Sequence, residues 1–202
     1  DIGAARMLLE GKYMFTVIDS EVDFSNYKVI ILPDKYVLSS EVKSRLIKFI
    51  NGGGKLLATG SSVIDENGFV LDFGAEYEGE GEFLPSYVRP VDNNPNETDY
   101  IMYSPYKKIR KTNGAELAKV SEPYFNRTPQ HYCSHKHSPS SGKYGGAGAI
   151  CGRCGIYIAW DIFTDYAENG ELIAKRLVCD CLDILLCGAK ALVTNLGSMG
   201  VT

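Results

Sequence analysis

Residues 27–59 constrain the fold more than any other part of this chain. Tyr27-Lys-Val-Ile-Ile-Leu32 is a near-continuous apolar run stopped by Pro33, the pattern of a parallel strand covered on both faces. Ser39 or Ser40 can then cap a helix whose buried stripe is Val42, Leu46, Phe49 and Ile50, and Gly52-Gly-Gly54 ends it. Lys55-Leu-Leu-Ala-Thr59 reads as the next strand. Strand, helix and strand in this order imply a right-handed parallel crossover, so an all-antiparallel sandwich is excluded as an expectation. Upstream, Ala4 to Gly11 carries helical spacing through Ala5, Leu8 and Leu9, and Phe15-Thr-Val-Ile18 reads as a short strand.

The remainder is less regular. Residues 61–98 are rich in Gly, Glu, Asn and Pro and are expected to form excursions at the sheet edge. From Tyr100 to Val120 the pattern alternates, as in antiparallel strands. Ala147-Gly-Ala-Ile-Cys151 and Cys154-Gly-Ile-Tyr-Ile-Ala-Trp160 read as a hairpin joined by a tight Gly152-Arg153 turn. Ser138 to Gly146 reads as a flexible loop leading into it. A helix over Leu172 to Cys187 is expected to pack back, its apolar positions three and four apart.

Composition closes off several function classes. The chain has 202 residues, 45% of them hydrophobic and 23% charged, which suits a globular domain; residues 1–202 are read as one domain. A net charge of −4 argues against a nucleic-acid surface, and the one basic cluster, Lys107-Lys108-Ile-Arg110-Lys111, alternates as a strand with a solvated face does. No apolar run is long enough to cross a membrane. Because the chain starts at Asp1 without methionine and stops at Gly200-Val-Thr202 with no closing element, a fragment of a longer multidomain protein is expected. Six cysteines could form three disulfides, but Cys179, Cys181 and Cys187 sit in an apolar run where cysteine acts as a small hydrophobe. Reduced thiols and a cytoplasmic location are the expectation.

All three histidines fall within seven residues, inside Glu122-Pro-Tyr-Phe-Asn-Arg-Thr-Pro-Gln-His-Tyr-Cys-Ser-His-Lys-His-Ser-Pro139. His131, Cys133, His135 and His137 alternate with other residues, so an extended strand would set all four on one face. Neighbours at i, i+2 on a strand lie about 7 Å apart and cannot converge on one tetrahedral zinc without a sharp bend. A second knuckle from Cys151 and Cys154 is better explained by the hairpin. A polar loop is the simpler expectation, and no metal or other cofactor is assigned. The candidate site is that loop, with Tyr124, Asn126, Arg127, His131, His135 and His137 as its polar members, facing a substrate or a neighbouring domain. Arg127 offers a planar donor fork, Asn126 a donor and an acceptor, and the imidazoles can bond sugar hydroxyls or a carboxylate, while Tyr124, Phe125 and Tyr132 supply flat faces. The competing expectation is that Asn126 and Arg127 tie the loop to its own domain. Asn96-Glu-Thr98 and Asn126-Arg-Thr128 form glycosylation sequons that would matter only in a secreted protein.

Tyr27-Lys-Val-Ile-Ile-Leu-Pro33, Leu38-Ser and Phe49-Ile-Asn-Gly-Gly-Gly-Lys-Leu-Leu57 together resemble the class I glutamine-amidotransferase-like domain of microbial glycoside hydrolases, where it is called the β-galactosidase trimerisation domain. Tyr124-Phe-Asn-Arg127 and Cys133-Ser-His-Lys-His137 are similar to the version that follows a TIM-barrel catalytic domain in β-galactosidase and α-fucosidase-like hydrolases. The resemblance implies a three-layer, flavodoxin-like α/β domain with a mainly parallel sheet and the added antiparallel hairpin. It also implies a non-catalytic accessory role: partnership with a catalytic TIM barrel of the same chain, assembly into a dimer or trimer, and only indirect dealings with carbohydrate. Nucleic acid and membrane are not implied as partners. Amidotransferase chemistry needs a nucleophilic cysteine at a strained strand-to-helix elbow with a histidine–carboxylate pair. Here Thr59 runs into Gly60-Ser-Ser-Val63, without cysteine. A retaining glycosidase needs two carboxylates about 5–5.5 Å apart, whereas Asp65-Glu66, Glu76 to Glu82, Asp161 and Asp165 are scattered, and the Glu76–Glu82 run reads as a solvated loop. The alternative is an active enzyme: a serine-variant amidase using Ser61 or Ser62, or a metal-dependent hydrolase using His131, Cys133, His135 and His137.

Overall fold

The structure is a computed structural model that describes residues 2–91 and 98–187. Its elements run α1 (Ile2–Glu10), β1 (Val29–Leu32), α2 (Ser40–Asn51), β2 (Lys55–Thr59), β3 (Ile64–Asp65), β4 (Gly68–Phe69), β5 (Ala75–Glu80), β6 (Ser86–Pro90), β7 (Tyr100–Met102), β8 (Lys107–Lys111), β9 (Ala115–Pro123), β10 (Ser140–Cys151), β11 (Gly155–Ile158), α3 (Ile162–Asn169) and α4 (Leu172–Leu185). Seven strands form one sheet in the order β1-β2-β11-β10-β9-β6-β7, and two small ribbons, β3-β4 and β5-β8, stand beside it.

The expected crossover is present: β1 and β2 pair in parallel from Val29↔Lys55 to Leu32↔Ala58, with α2 between them. The Ser39 hydroxyl accepts from the Val42 amide at 3.2 Å and caps α2, while Val42, Leu46 and Phe49 are its buried stripe. Leu56 to Thr59 are wholly buried, as required of a strand with both faces covered. α2 packs on one face with the short 3-10 turn Phe24–Asn26; α1, α3 and α4 pack together on the other.

The expectation of a mainly parallel sheet needs correction. Among the described residues only β1–β2 and β2–β11 are parallel; β11–β10, β10–β9, β9–β6 and β6–β7 are antiparallel. The hairpin expected at 147–160 is there and supplies the junction, because β11 pairs parallel to β2 on one side and antiparallel to β10 on the other. Its turn sits one residue later than expected: Gly152 and Gly155 exchange backbone hydrogen bonds at 2.8 and 3.3 Å, leaving Arg153-Cys154 as the two turn residues. Gly155 is irreplaceable there. Its φ is +140°, and a Cβ would lie 2.0 Å from the Leu56 carbonyl oxygen.

Other expectations shift for identifiable reasons. Phe15 to Ile18 lies in no sheet formed by the described residues. Residues 61–98 contain more strand than expected, including β6 within the main sheet. The Glu76–Glu82 run is not a free loop, because β5 pairs antiparallel with β8 and sets its acids against that strand's bases. Lys107 Nζ reaches Glu80 at 2.7 Å; Arg110 reaches Glu78 at 2.9 Å and also Glu76. The expected loop at 138–146 is mostly strand, since β10 begins at Ser140 and absorbs Gly142 and Gly146 at positive φ through register shifts against β9.

The core runs from the helices into the antiparallel half, where Trp160, Tyr106, Tyr157 and Phe73 are almost fully buried. Their polar ends are paired: Trp160 Nε1 donates to Ser86 Oγ at 2.9 Å and the Tyr157 hydroxyl to the Gly60 carbonyl at 2.6 Å. All six cysteines are free thiols. Cys181 is buried, as expected of that apolar run, but Cys179 is half-buried and Cys187 exposed.

Candidate functional site

Strands β9 and β10 meet at the pair Pro123↔Ser140, and the chain between them, 124–139, leaves the sheet as one long connection. Its neck is closed by Tyr124 N–H donating to the Pro139 carbonyl at 3.2 Å and by the Tyr87 hydroxyl donating to the Ser138 carbonyl at 2.7 Å. Beneath the neck, Asp99 accepts two bonds from Arg89 at 2.6 and 2.9 Å and one from Ser121 at 3.2 Å, with the Ser140 hydroxyl as a fourth donor. Burial opposes ionisation of Asp99, but these donors outweigh it and hold its pKa below the ordinary carboxylate value. The loop therefore rises from a rigid polar base.

Within the loop, each predicted residue has a definite place. Asn126 is spent on architecture: its Nδ2 donates to the Glu82 carbonyl at 2.6 Å and its Oδ1 accepts from the Leu84 amide at 3.0 Å. The same amide nitrogen belongs to the second sequon; Asn96 of the first lies outside the described residues. Arg127 bonds the Lys136 carbonyl at 3.0 Å, bracing the loop across its width. His131 stacks on Phe125 at a centroid distance of 4.4 Å and an interplanar angle of 11°, and its backbone closes a turn with Thr128. His137 packs edge-on against Tyr103 at 5.1 Å. Burial, with Lys136 and Arg127 nearby, pushes the His137 pKa down, so its imidazole is neutral at neutral pH. His135, Tyr124 and Tyr132 are exposed, and the His135 imidazole has no hydrogen bond among the described residues.

This arrangement does not favour the metal-hydrolase alternative. His131 is committed to Phe125 and His137 to Tyr103, while the Cys133 thiol turns toward the backbone carbonyls of His135 and His137 at 3.6 and 3.4 Å. Among the described residues no three His, Cys, Asp or Glu side chains are grouped to hold an ion. The serine alternative fares no better. Ser62 is buried and accepts from the Thr59 amide at 3.2 Å, which is a turn-forming role.

Sequence reasoning missed the residues that support the loop: Glu82, Leu84, Tyr87, Asp99 and Tyr103. No spacing rule reaches them, because they lie more than twenty residues from the loop and meet it only through the antiparallel sheet. It also missed Asp34, which follows β1 with φ +34° and is buried. Asp34 accepts from the Thr59 hydroxyl at 2.7 Å, the Thr164 amide at 2.7 Å, the Thr164 hydroxyl at 2.8 Å and the Phe163 amide at 3.3 Å, so it caps α3 from another element. Asp161, at the N-terminus of α3, makes no side-chain cap bond. Desolvation raises the Asp34 pKa despite these donors.

Comparison with known proteins places this geometry. Residues 6–80 match the family model described as the β-galactosidase trimerisation domain. An α-L-fucosidase, isoenzyme 2 from Paenibacillus thiaminolyticus, superposes on 92% of the chain with a TM-score of 0.88 and 43% identity, the match covering 29% of the fucosidase. The β-galactosidase of Rahnella sp. R3 matches 84% of the chain at a TM-score of 0.57 and 19% identity, over 26% of its own length, a likeness of fold alone. The β-galactosidase Pbg of Clostridium perfringens is 42% identical over 52 residues, which is 25% of this chain and 8% of that enzyme. The chain thus spans less than a third of each of these relatives.

Proposed function

We propose that this chain is a non-catalytic, assembly-forming domain of a carbohydrate-active glycoside hydrolase, and that its 124–139 loop faces the catalytic domain of the same or a neighbouring copy. The observation that carries this reading is the similarity along almost the whole chain to one segment of a far longer fucosidase, together with the trimerisation-domain match in the first half. The finer fold reading is flavodoxin-like, of the class I amidotransferase kind: β1, β2 and β11 with helices on both faces are its parallel part, and the antiparallel strands extend it. The elbow after β2, where an amidotransferase carries its nucleophile, is occupied by Gly60-Ser61-Ser62, and the bonds of Ser62 and Asp34 are structural. The catalytic carboxylates then belong to a TIM barrel elsewhere in the parent. Carbohydrate meets this domain only at the loop, and the free thiols suit a reducing, cytosolic compartment.

Within the loop the labour divides. Asn126, Arg127, His131 and His137 shape it, and His135, Tyr124 and Tyr132 are left to meet a partner. Replacing Arg127 and His135 singly with alanine in the full-length parent tests this. The expected result is a fall in kcat/KM toward an aryl glycoside for His135→Ala at unchanged melting temperature, and a combined loss for Arg127→Ala. Wild-type turnover in both, with only stability reduced in Arg127→Ala, would make the loop purely architectural. Light scattering of the parent is expected to give a dimer or trimer; a strict monomer at high concentration would refute the assembly role.

A further inference from the structure

The chain holds 25 acidic residues in 202, yet none falls between Glu122 and Asp161. The 124–139 loop lies wholly inside that gap. Its charged side chains are Arg127 and Lys136, both exposed, and its other titratable groups are three histidines, two tyrosines and Cys133. With the histidines neutral the loop carries +2, so the chain's total of −4 leaves −6 for everything else. The loop is a positive projection on a negative domain.

The fold concentrates this charge rather than spreading it. One N–H of Arg127 donates to the Lys136 carbonyl at 3.0 Å, which draws the two cationic residues together across the loop. Neither makes an ion pair among the described residues, and the Lys136 ammonium stands 6.0 Å over the Tyr103 ring, at the outer limit of a cation–π contact. The acids at the foot of the loop are already spent. Asp99 is held by Arg89, and Glu122 pairs with Lys143 at 2.7 Å, raising the Lys143 pKa together with Glu82. His137 reports the field that is left. Burial lowers its pKa, Lys136 and Arg127 lower it further, and no carboxylate among the described residues acts on it in the opposite sense.

Like charges on a surface repel weakly in water and more strongly once a partner excludes solvent. An apolar partner would suit Tyr124 and Tyr132 but would leave both cations covered and unpaired. A partner that brings carboxylates pairs them, and the planar fork of Arg127 can take one at two points. A glycoside hydrolase keeps carboxylates around its sugar site. We propose that Arg127 and Lys136 dock the loop on a carboxylate-bearing surface of the catalytic domain. This rests on the reading that the loop faces that domain, and adds the chemistry of the surface it meets. His135, exposed and next to Lys136 in sequence, is held against the same surface.

Kinetics of the full-length parent on a neutral aryl glycoside test it, since that substrate has no charge of its own to respond to salt. Lys136→Gln removes the charge and Lys136→Glu reverses it, at an exposed site where the melting temperature is expected to hold. At low ionic strength, Lys136→Glu is expected to bring kcat/KM about tenfold below that of Lys136→Gln, because a reversed charge pushes the loop off an acidic surface. At about 1 M salt, where screening acts within about 3 Å, the gap is expected to close to about twofold or less. Equal effects of the two substitutions, a gain from Lys136→Glu, or a loss that salt leaves unchanged would each overturn the inference. If His135→Ala still lowers turnover in that case, the loop faces the catalytic domain through contacts that do not depend on charge. Wild-type turnover in all three variants would remove both the loop's role and its docking chemistry.

Discussion

Asp34 shows how much a single side chain can connect. One carboxylate takes four donors from β2 and α3, so Asp34→Ala strands the buried Thr59 hydroxyl and Phe163 amide and the half-buried amide and hydroxyl of Thr164. The expected loss is about 3 kcal/mol, read as a lowered denaturation midpoint at unchanged m-value. Its raised pKa also fixes a sign: the native state holds this proton more tightly than the unfolded chain. The associated stability is therefore present in acid and is lost as pH rises from the ordinary carboxylate value through the raised one. His137 acts in the opposite sense. Its pKa is depressed, so its contribution is present above the ordinary histidine value near 6.5 and is lost as pH falls through the folded value. His137→Phe is expected to flatten that part of the stability–pH curve, which chemical denaturation at a series of pH values will show. Asn126→Ala cuts the bonds to Glu82 and Leu84. Because the site is exposed, about 1 kcal/mol is expected, with faster proteolysis within 124–139 as the sharper readout.

At the scale of elements, the β5–β8 ribbon pairs an acidic run with a basic one. Exposed ion pairs contribute little, so Arg110→Ala is expected to cost under about 1 kcal/mol, while Arg110→Glu costs more and recovers as salt is added. Urea midpoints at low and high salt measure both. This ribbon also shows where sequence reading ran out. Each run was visible alone, but their pairing depends on a long-range register that no local period encodes. The β1–α2–β2 unit was legible because continuous apolar strands, a serine cap and a glycine stop all lie within about thirty residues. The hairpin was legible for the same reason, and its turn slipped by one because glycines at both Gly152 and Gly155 permit either placement. The mainly parallel expectation failed where local pattern fails: alternation in β9 marks a strand but not its neighbour. In the loop, the composition of the site could be read and its division of labour could not, since Asn126 is bound by main-chain atoms some forty residues away.

For the molecule as a whole, β2 and β11 lie side by side in the sheet, yet Leu57 and Ile156 face each other across nearly a hundred residues of intervening chain. β9, β10 and β11, by contrast, follow one another and pair with their neighbours in sequence. Closing a short loop costs less entropy than closing a long one, so the antiparallel meander is expected to gather first and the parallel seam to seal late. The order can be read kinetically. Ile150→Val in β10 should slow folding in proportion to the stability it removes, whereas Ile30→Val in β1 should mainly hasten unfolding. The seam between β2 and β11 would then be the last part of the sheet to form as the chain leaves the ribosome, and it cannot begin until Gly155 has emerged.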